Sequence, residues 1–209
     1  MNRFLFFLML FLSVNCFSQN NDIISLLTKN DFSKSEAKEL QKLINYFESE
    51  GGIKESDLKN SYVNFIYVTS LYPDSLATQI FEKTKFRKRF NDIPNSLKSD
   101  LWQLYEGTAY MSHDRVEFKE PIKYQSYGIR INGRFINLLK TISDKRVQKY
   151  VERITETGDL PTSFIYRNII LDYREINNID FESDYWRLIN TIQFLTQLNE
   201  YYDYSDLSN

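Results

Sequence analysis

Cysteine is nearly missing from this chain. Cys16 is the only one, which excludes an intramolecular disulfide and any metal site built on several thiolates. Histidine is equally scarce: His113 stands alone, so a zinc site made of several imidazoles is excluded, and a single haem ligand or the base of a dyad is the most this residue could supply. The sequence also lacks a phosphate-cradling Gly-rich loop and a nucleophile elbow. No metal, no cofactor and no assigned catalytic residue are expected on these grounds.

Charge of one sign is lacking too. Twenty-six Lys and Arg face 28 Asp and Glu, for a net charge of −2, too balanced to imply a nucleic-acid partner. Six Gly and four Pro in 209 residues are less than half of average usage. Few breakers mean few turns and long elements, so the expected fold class is all-α: a single-domain multi-helix bundle or short helical array. The abundance of 15 Tyr and 16 Phe suggests a ligand surface at first sight. Ile, Asn and Lys are abundant alongside them, as in any AT-rich coding sequence, so the aromatic count carries no functional weight by itself.

What is present begins with the first eighteen residues. Arg3 gives a positive start, Phe4 to Val14 is apolar apart from Ser13, and Asn15-Cys16-Phe17-Ser18 is a polar exit with small residues one position apart. This is the pattern of a secretory signal peptide cleaved after Ser18. The apolar run is far shorter than the roughly 20 residues of a membrane-crossing helix. A competing reading takes Leu12-Ser13-Val14-Asn15-Cys16 as similar to a bacterial lipoprotein box, with a lipid anchor on Cys16; Asn15 departs from it, because a small residue normally precedes the Cys. Residues 19–209 are then the exported part. Export without disulfides suits a secreted or periplasmic bacterial protein, or an outer-envelope lipoprotein, better than an animal secretory route.

Along that part, Ser33 and Glu36 form a capping box ahead of Ala37, Leu40, Leu43, Ile44 and Phe47 at helical spacing, ended by Gly51-Gly52. A helix from Ser56 to Leu71 is apolar enough to be covered on both sides. Pro73 closes it and Asp74 caps another. Lys83, Lys85, Arg87, Lys88 and Arg89 form a basic cluster, read as a solvated helix end that complements the negative helix pole. Ser96 caps a helix expected to run to about Ser112. Residues 116 to 142 support two patterns. Tyr124, Tyr127, Ile131, Phe135, Leu138 and Ile142 fit a helix begun by Pro121, which is preferred; Tyr127, Ile129 and Ile131 alternate toward Asn132-Gly133, which would make a small β-hairpin near 127–138. Asp144 caps a further helix, Pro161 starts another, and the last runs from about Glu182.

Asp180, Glu182 and Asp184 alternate like the start of a calcium loop, but Tyr185 stands where the Gly belongs and Thr191 where the closing Glu belongs. Helix capping is the better reading. One constellation remains. On a helix through residue 112, Glu106, Tyr110 and His113 fall beside Trp102, combining an acid, a phenol, an imidazole and an aromatic wall. These four are the candidate binding residues. The expected function is that of an exported, envelope-associated binding or interaction protein for a protein, glycan or small molecule; the alternative is a small extracytoplasmic hydrolase using carboxylates such as Glu106 as general acid and base.

Overall fold

The computed structural model describes residues 22–71, 80–111, 117–157 and 178–208. The leader with Cys16, most of the helix expected after Asp74, His113 and the helix expected after Pro161 lie outside the described residues. Within them are eight α-helices and one antiparallel ribbon of two strands. The chain is thus mainly helical but not all-α.

In chain order the helices are α1 (Asp22–Thr28), α2 (Lys34–Glu50), α3 (Leu58–Leu71, entered by a 3₁₀ turn), α4 (Lys83–Asn91) and α5 (Asn95–Leu101). Strands β1 (Trp102–Met111) and β2 (Glu117–Ile129) follow, then α6 (Arg134–Lys140), α7 (Lys145–Thr157) and α8 (Asp184–Ser205). No helix among the described residues is long and apolar enough to cross a membrane.

Helix α8 is the axis. Trp186, Leu188, Ile189, Ile192, Phe194, Leu195, Leu198 and Tyr202 are all buried, as are Asn190, Gln193, Thr196 and Asn199 between them. A helix buried on every side needs partners for its polar groups. Tyr150 of α7 donates to Gln193 Oε1 at 2.7 Å, and Asn190 Nδ2 donates to Trp186 O at 2.7 Å. Phe47, Phe65 and Phe81 pack on Phe194 with ring centroids 5.0 to 5.4 Å apart, which brings α2 and α3 against the axis.

Helix α2 starts as its sequence dictates. The Ser33 amide donates to Glu36 Oε2 at 2.8 Å and the Glu36 amide to Ser33 Oγ at 3.2 Å, closing the capping box. Gly51 ends the helix, and Gly52 follows with φ +66°, the left-handed conformation that favours glycine. Asp144 likewise caps α7 through the Arg146 amide at 2.8 Å. The acids before α8 behave as turn and cap groups, with the Glu182 amide donating to Asp180 Oδ1 at 3.1 Å. Among the described residues no cluster of His, Cys, Asp and Glu could hold a metal ion.

Three expectations are corrected. The basic cluster is not a solvated end: Lys85 pairs with Glu50, Arg89 with Glu39, Lys83 with Asp206, and Arg87 with Asp203 and Asp206, so α4 is laced to α2 and to the end of α8. On α3, Tyr62, Phe65 and Ile66 are buried but Tyr67 is exposed, so its covering is one-sided. The third correction is the ribbon. The helix expected to reach Ser112 stops at Leu101, and the helix expected from Pro121 is strand β2, with helix only from Arg134. Asn132-Gly133 is not a hairpin turn either. Gly133 is the N-cap of α6 and sits against α5, where a Cβ would stand 2.0 Å from Asp100 O, so only glycine fits.

Gly107 shows why this stretch prefers the ribbon. In a helix it would cost about 1 kcal/mol relative to Ala. In the ribbon it lies opposite Tyr124, whose ring covers it so closely that a Cβ would be 2.5 Å from the ring. An aromatic side chain lying over a cross-strand glycine buries the bare backbone and fixes register.

Candidate functional site

The four residues expected to form one constellation are separated by the change from helix to strand. Trp102 is 1% exposed; it donates from Nε1 to Thr196 Oγ1 at 2.7 Å and packs on Phe90 at 5.2 Å. It is a core anchor that also lines one wall of a recess described below. Glu106 is exposed, accepting from Lys123 Nζ at 2.7 Å on the ribbon surface. Tyr110, 64% exposed, lies near the far end of β1. Four residues of strand span about 13 Å, so Glu106 and Tyr110 are not neighbours as they would be on a helix. His113 lies outside the described residues.

The ribbon has two unlike faces. Register runs from Trp102 opposite Ile129 to Ala109 opposite Ile122, and jumps so that Met111 meets Glu117. Pro121 lies at this break, where the missing N–H of a proline is tolerated. The inner face carries Tyr105, Gly107, Ala109, Tyr124 and Ser126 against α8. There Asn199 Nδ2 donates to Ser126 Oγ at 3.2 Å and to Asp203 Oδ2 at 2.7 Å, and Arg87 Nη1 donates to Asn199 Oδ1 at 3.0 Å. The Tyr105 hydroxyl bonds Glu200. Burial pushes the Glu200 carboxyl above the usual carboxylate range and nearby Asp203 adds to this, while the Tyr105 hydrogen bond opposes it. Burial, followed by Glu200, also raises the phenols of Tyr105 and Tyr124.

The outer face carries Leu104, Glu106, Thr108 and Tyr110. Among the described residues four large apolar side chains are exposed, and three of them, Leu104 at 53%, Tyr110 and Met111 at 46%, belong to β1. The backbone adds to this. The Arg130 amide donates to Leu101 O at 2.9 Å, which sets the phase of the antiparallel ladder: Gln103, Tyr105, Gly107 and Ala109 exchange bonds with β2, while Leu104, Glu106 and Thr108 direct their N–H and C=O groups to the outside edge. The ribbon has no third strand among the described residues, and α8 runs under β2 rather than β1. A long edge strand with exposed apolar side chains is what proteins ordinarily blunt or cover.

At the root of the outer face is an open recess of about 390 Å³, lined by Lys98 and Ser99 of α5, Trp102 and Leu104 of β1, and Tyr127 and Arg130 at the end of β2. Sequence reading missed Lys98 and Arg130, because neither stands in a motif and 32 positions separate them. It assigned Leu104 to a helix face, although the alternation of Tyr127 with Ile129 was a usable strand signal. Comparison of the chain with protein-family models, with curated proteins and with solved structures finds no match.

Proposed function

We propose that this chain is an exported binding protein of a bacterial envelope, and that it engages its partner through the outer face and free edge of β1. The observation that carries the reading is the concentration of exposed apolar side chains on one strand whose outward backbone groups pair with no other strand among the described residues. Edge addition would supply main-chain hydrogen bonds from Leu104, Glu106 and Thr108, with alternate side chains giving selectivity. The hydrolase alternative gains nothing comparable, since Glu106 stands on open surface with Lys123 as its partner. Export and the removal of residues 1–18 belong to the same proposal.

Two experiments test it. Mass spectrometry of the protein from its native host should find Gln19 at the N-terminus, or a lipid-modified Cys16 for the anchored form; an intact Met1 would end the export reading. A photo-crosslinker at Tyr110 should trap a partner in the host envelope, and the adduct should disappear with Leu104→Lys while far-ultraviolet circular dichroism stays unchanged. Equal labelling from a crosslinker placed at the remote Glu182 would count against the ribbon.

A further inference from the structure

The recess at the root of the ribbon has a charge pattern that the rest of the surface does not prepare for. The chain as a whole is slightly acidic, yet none of the side chains lining the recess is acidic and two are cationic, Lys98 and Arg130. Lys98 is the unusual one. It is only 8% exposed, and its Nζ lies 5.0 Å from the centre of the Phe90 ring. On the neighbouring α4, Lys83, Lys85, Arg87 and Arg89 each pair with an acid, and Lys88 is exposed to solvent. Lys98 Nζ makes no hydrogen bond or ion pair with any described residue; Asp92 acts on it only at longer range. Burial accordingly lowers the proton affinity of the ammonium, with Asp92 opposing.

The Lys98 stem is buried, and its ammonium faces an aromatic ring with no acid among the described residues at pairing distance, so its donors stay available to the recess. Nothing in the packing requires a charge at this position: an apolar side chain of the same length would cover Phe90 equally well. The walls on the other side are apolar and flat, formed by Trp102, Leu104 and Tyr127, and the volume falls in the range of small-ligand sites. Arg130 is exposed at the mouth, its guanidinium steered by donation from Nη1 to Ser99 O at 2.5 Å, and its other donors meet no acceptor among the described residues and can face an anion.

We infer that the recess is a subsite for a carboxylate carried on an apolar, preferably aromatic, body, with the anion held between Lys98 and Arg130 and the body lying against Trp102, Leu104 and Tyr127. Such a group occurs on a free aromatic acid and on the last residue of a peptide, and the chemistry recognised is the same. The inference rests on the reading of the ribbon as a binding surface by naming what its root accepts, and it can fail while the edge of β1 still binds.

The test is titration with three probes, 2-naphthoate, N-acetyl-phenylalanine and N-acetyl-phenylalaninamide, followed through the indole resonances of Trp102 and the methyl resonances of Leu104. An acid should shift these signals, and the amide should bind about tenfold more weakly or worse, as expected for losing one charge-assisted contact. Lys98→Met keeps the stem over Phe90 and should bring the acid down to the amide's affinity; Arg130→Gln, at an exposed position, should weaken it less. Preference for N-acetyl-phenylalanine identifies the C-terminus of a peptide as the natural group, and preference for naphthoate a free acid. Equal binding of acid and amide, an unchanged affinity in folded Lys98→Met, or no shift with either acid would each overturn the inference. If Lys98→Met does not fold, Arg130→Gln decides: no loss of acid affinity in that variant is a negative result. The Tyr110 crosslink reports on the ribbon edge separately.

Discussion

The inner and outer faces of the ribbon differ although one alternating sequence builds both. Inward, Tyr105, Tyr124 and Ser126 face Asn199, Glu200 and Arg87, which are joined by hydrogen bonds between side chains. Outward, Leu104, Glu106 and Tyr110 meet solvent, with one exposed ion pair between Glu106 and Lys123. Strand geometry sends successive side chains to opposite sides. The inner set therefore carries stability and the outer set is free to carry recognition.

The sharpest way to break this contrast is at Trp102, where the outer-face strand dives into the core. Trp102→Ala should destabilise the chain by about 3 to 5 kcal/mol, while Leu104→Ala, two positions along, should stay within about 0.5 kcal/mol. Chemical denaturation of the two variants reads the difference, and equal losses would mean that Leu104 is structural after all.

Ion pairs offer the next comparison. Arg134 at the start of α6 holds Glu36 of the capping box at 2.7 Å, Asp100 of α5 at 2.7 Å and the Asp31 carbonyl at 2.8 Å, and lies 4.6 Å from the Phe32 ring. Its removal in Arg134→Gln should cost about 2 to 3 kcal/mol after allowing for partial exposure. Hydrogen bonding from Arg134 holds the Glu36 carboxyl down to about 2, against an ordinary 4.5. A folded value below the unfolded one stabilises the native chain above about pH 4.5, and the contribution fades as pH falls toward 2. Denaturation midpoints measured across that window should therefore drop more in the parent than in Arg134→Gln. The exposed counterpart, Lys123→Gln, should leave the midpoint unchanged at every pH.

Gly107 tests the inner face itself. Gly107→Ala forces the Tyr124 ring away from the strand and should cost about 1 to 3 kcal/mol, appearing first as faster amide exchange in β1 and β2. A smaller effect is expected from Glu200→Gln. Because burial raises the Glu200 carboxyl above its ordinary value, ionisation disfavours the folded chain, and stability is lost as pH rises through the folded value. The glutamine should give a slightly higher melting temperature than the parent at neutral pH and no advantage in acid. A lower temperature at neutral pH would show that the charged carboxylate is what Tyr105 requires.

How much of this was legible follows from the range of each interaction. The capping box of α2, the cap of α7 and the existence of α8 could be read because each depends on residues two to four apart in sequence. The stretch 97–129 could not be read in the same way. Leu97, Leu101, Leu104, Tyr105 and Ala109 satisfy a helical period, yet Gln103, Tyr105, Gly107 and Ala109 also satisfy a strand period. The candidate constellation inherited that ambiguity, because Glu106 and Tyr110 are neighbours only on a helix.

The sequence by itself therefore determined a mainly helical chain with few turns, no disulfide and no multi-histidine or multi-thiolate metal site, since composition and local spacing suffice for those statements. The tertiary structure alone decided that Leu101 ends a helix, that Tyr124 comes to lie on Gly107, and that Lys98 and Arg130 share a recess. Each of these depends on what a distant segment presents. Tyr124 can bury the bare backbone at Gly107 only once the two strands pair, and the Lys98 stem is covered only once Phe90 packs beside it at the root of the ribbon.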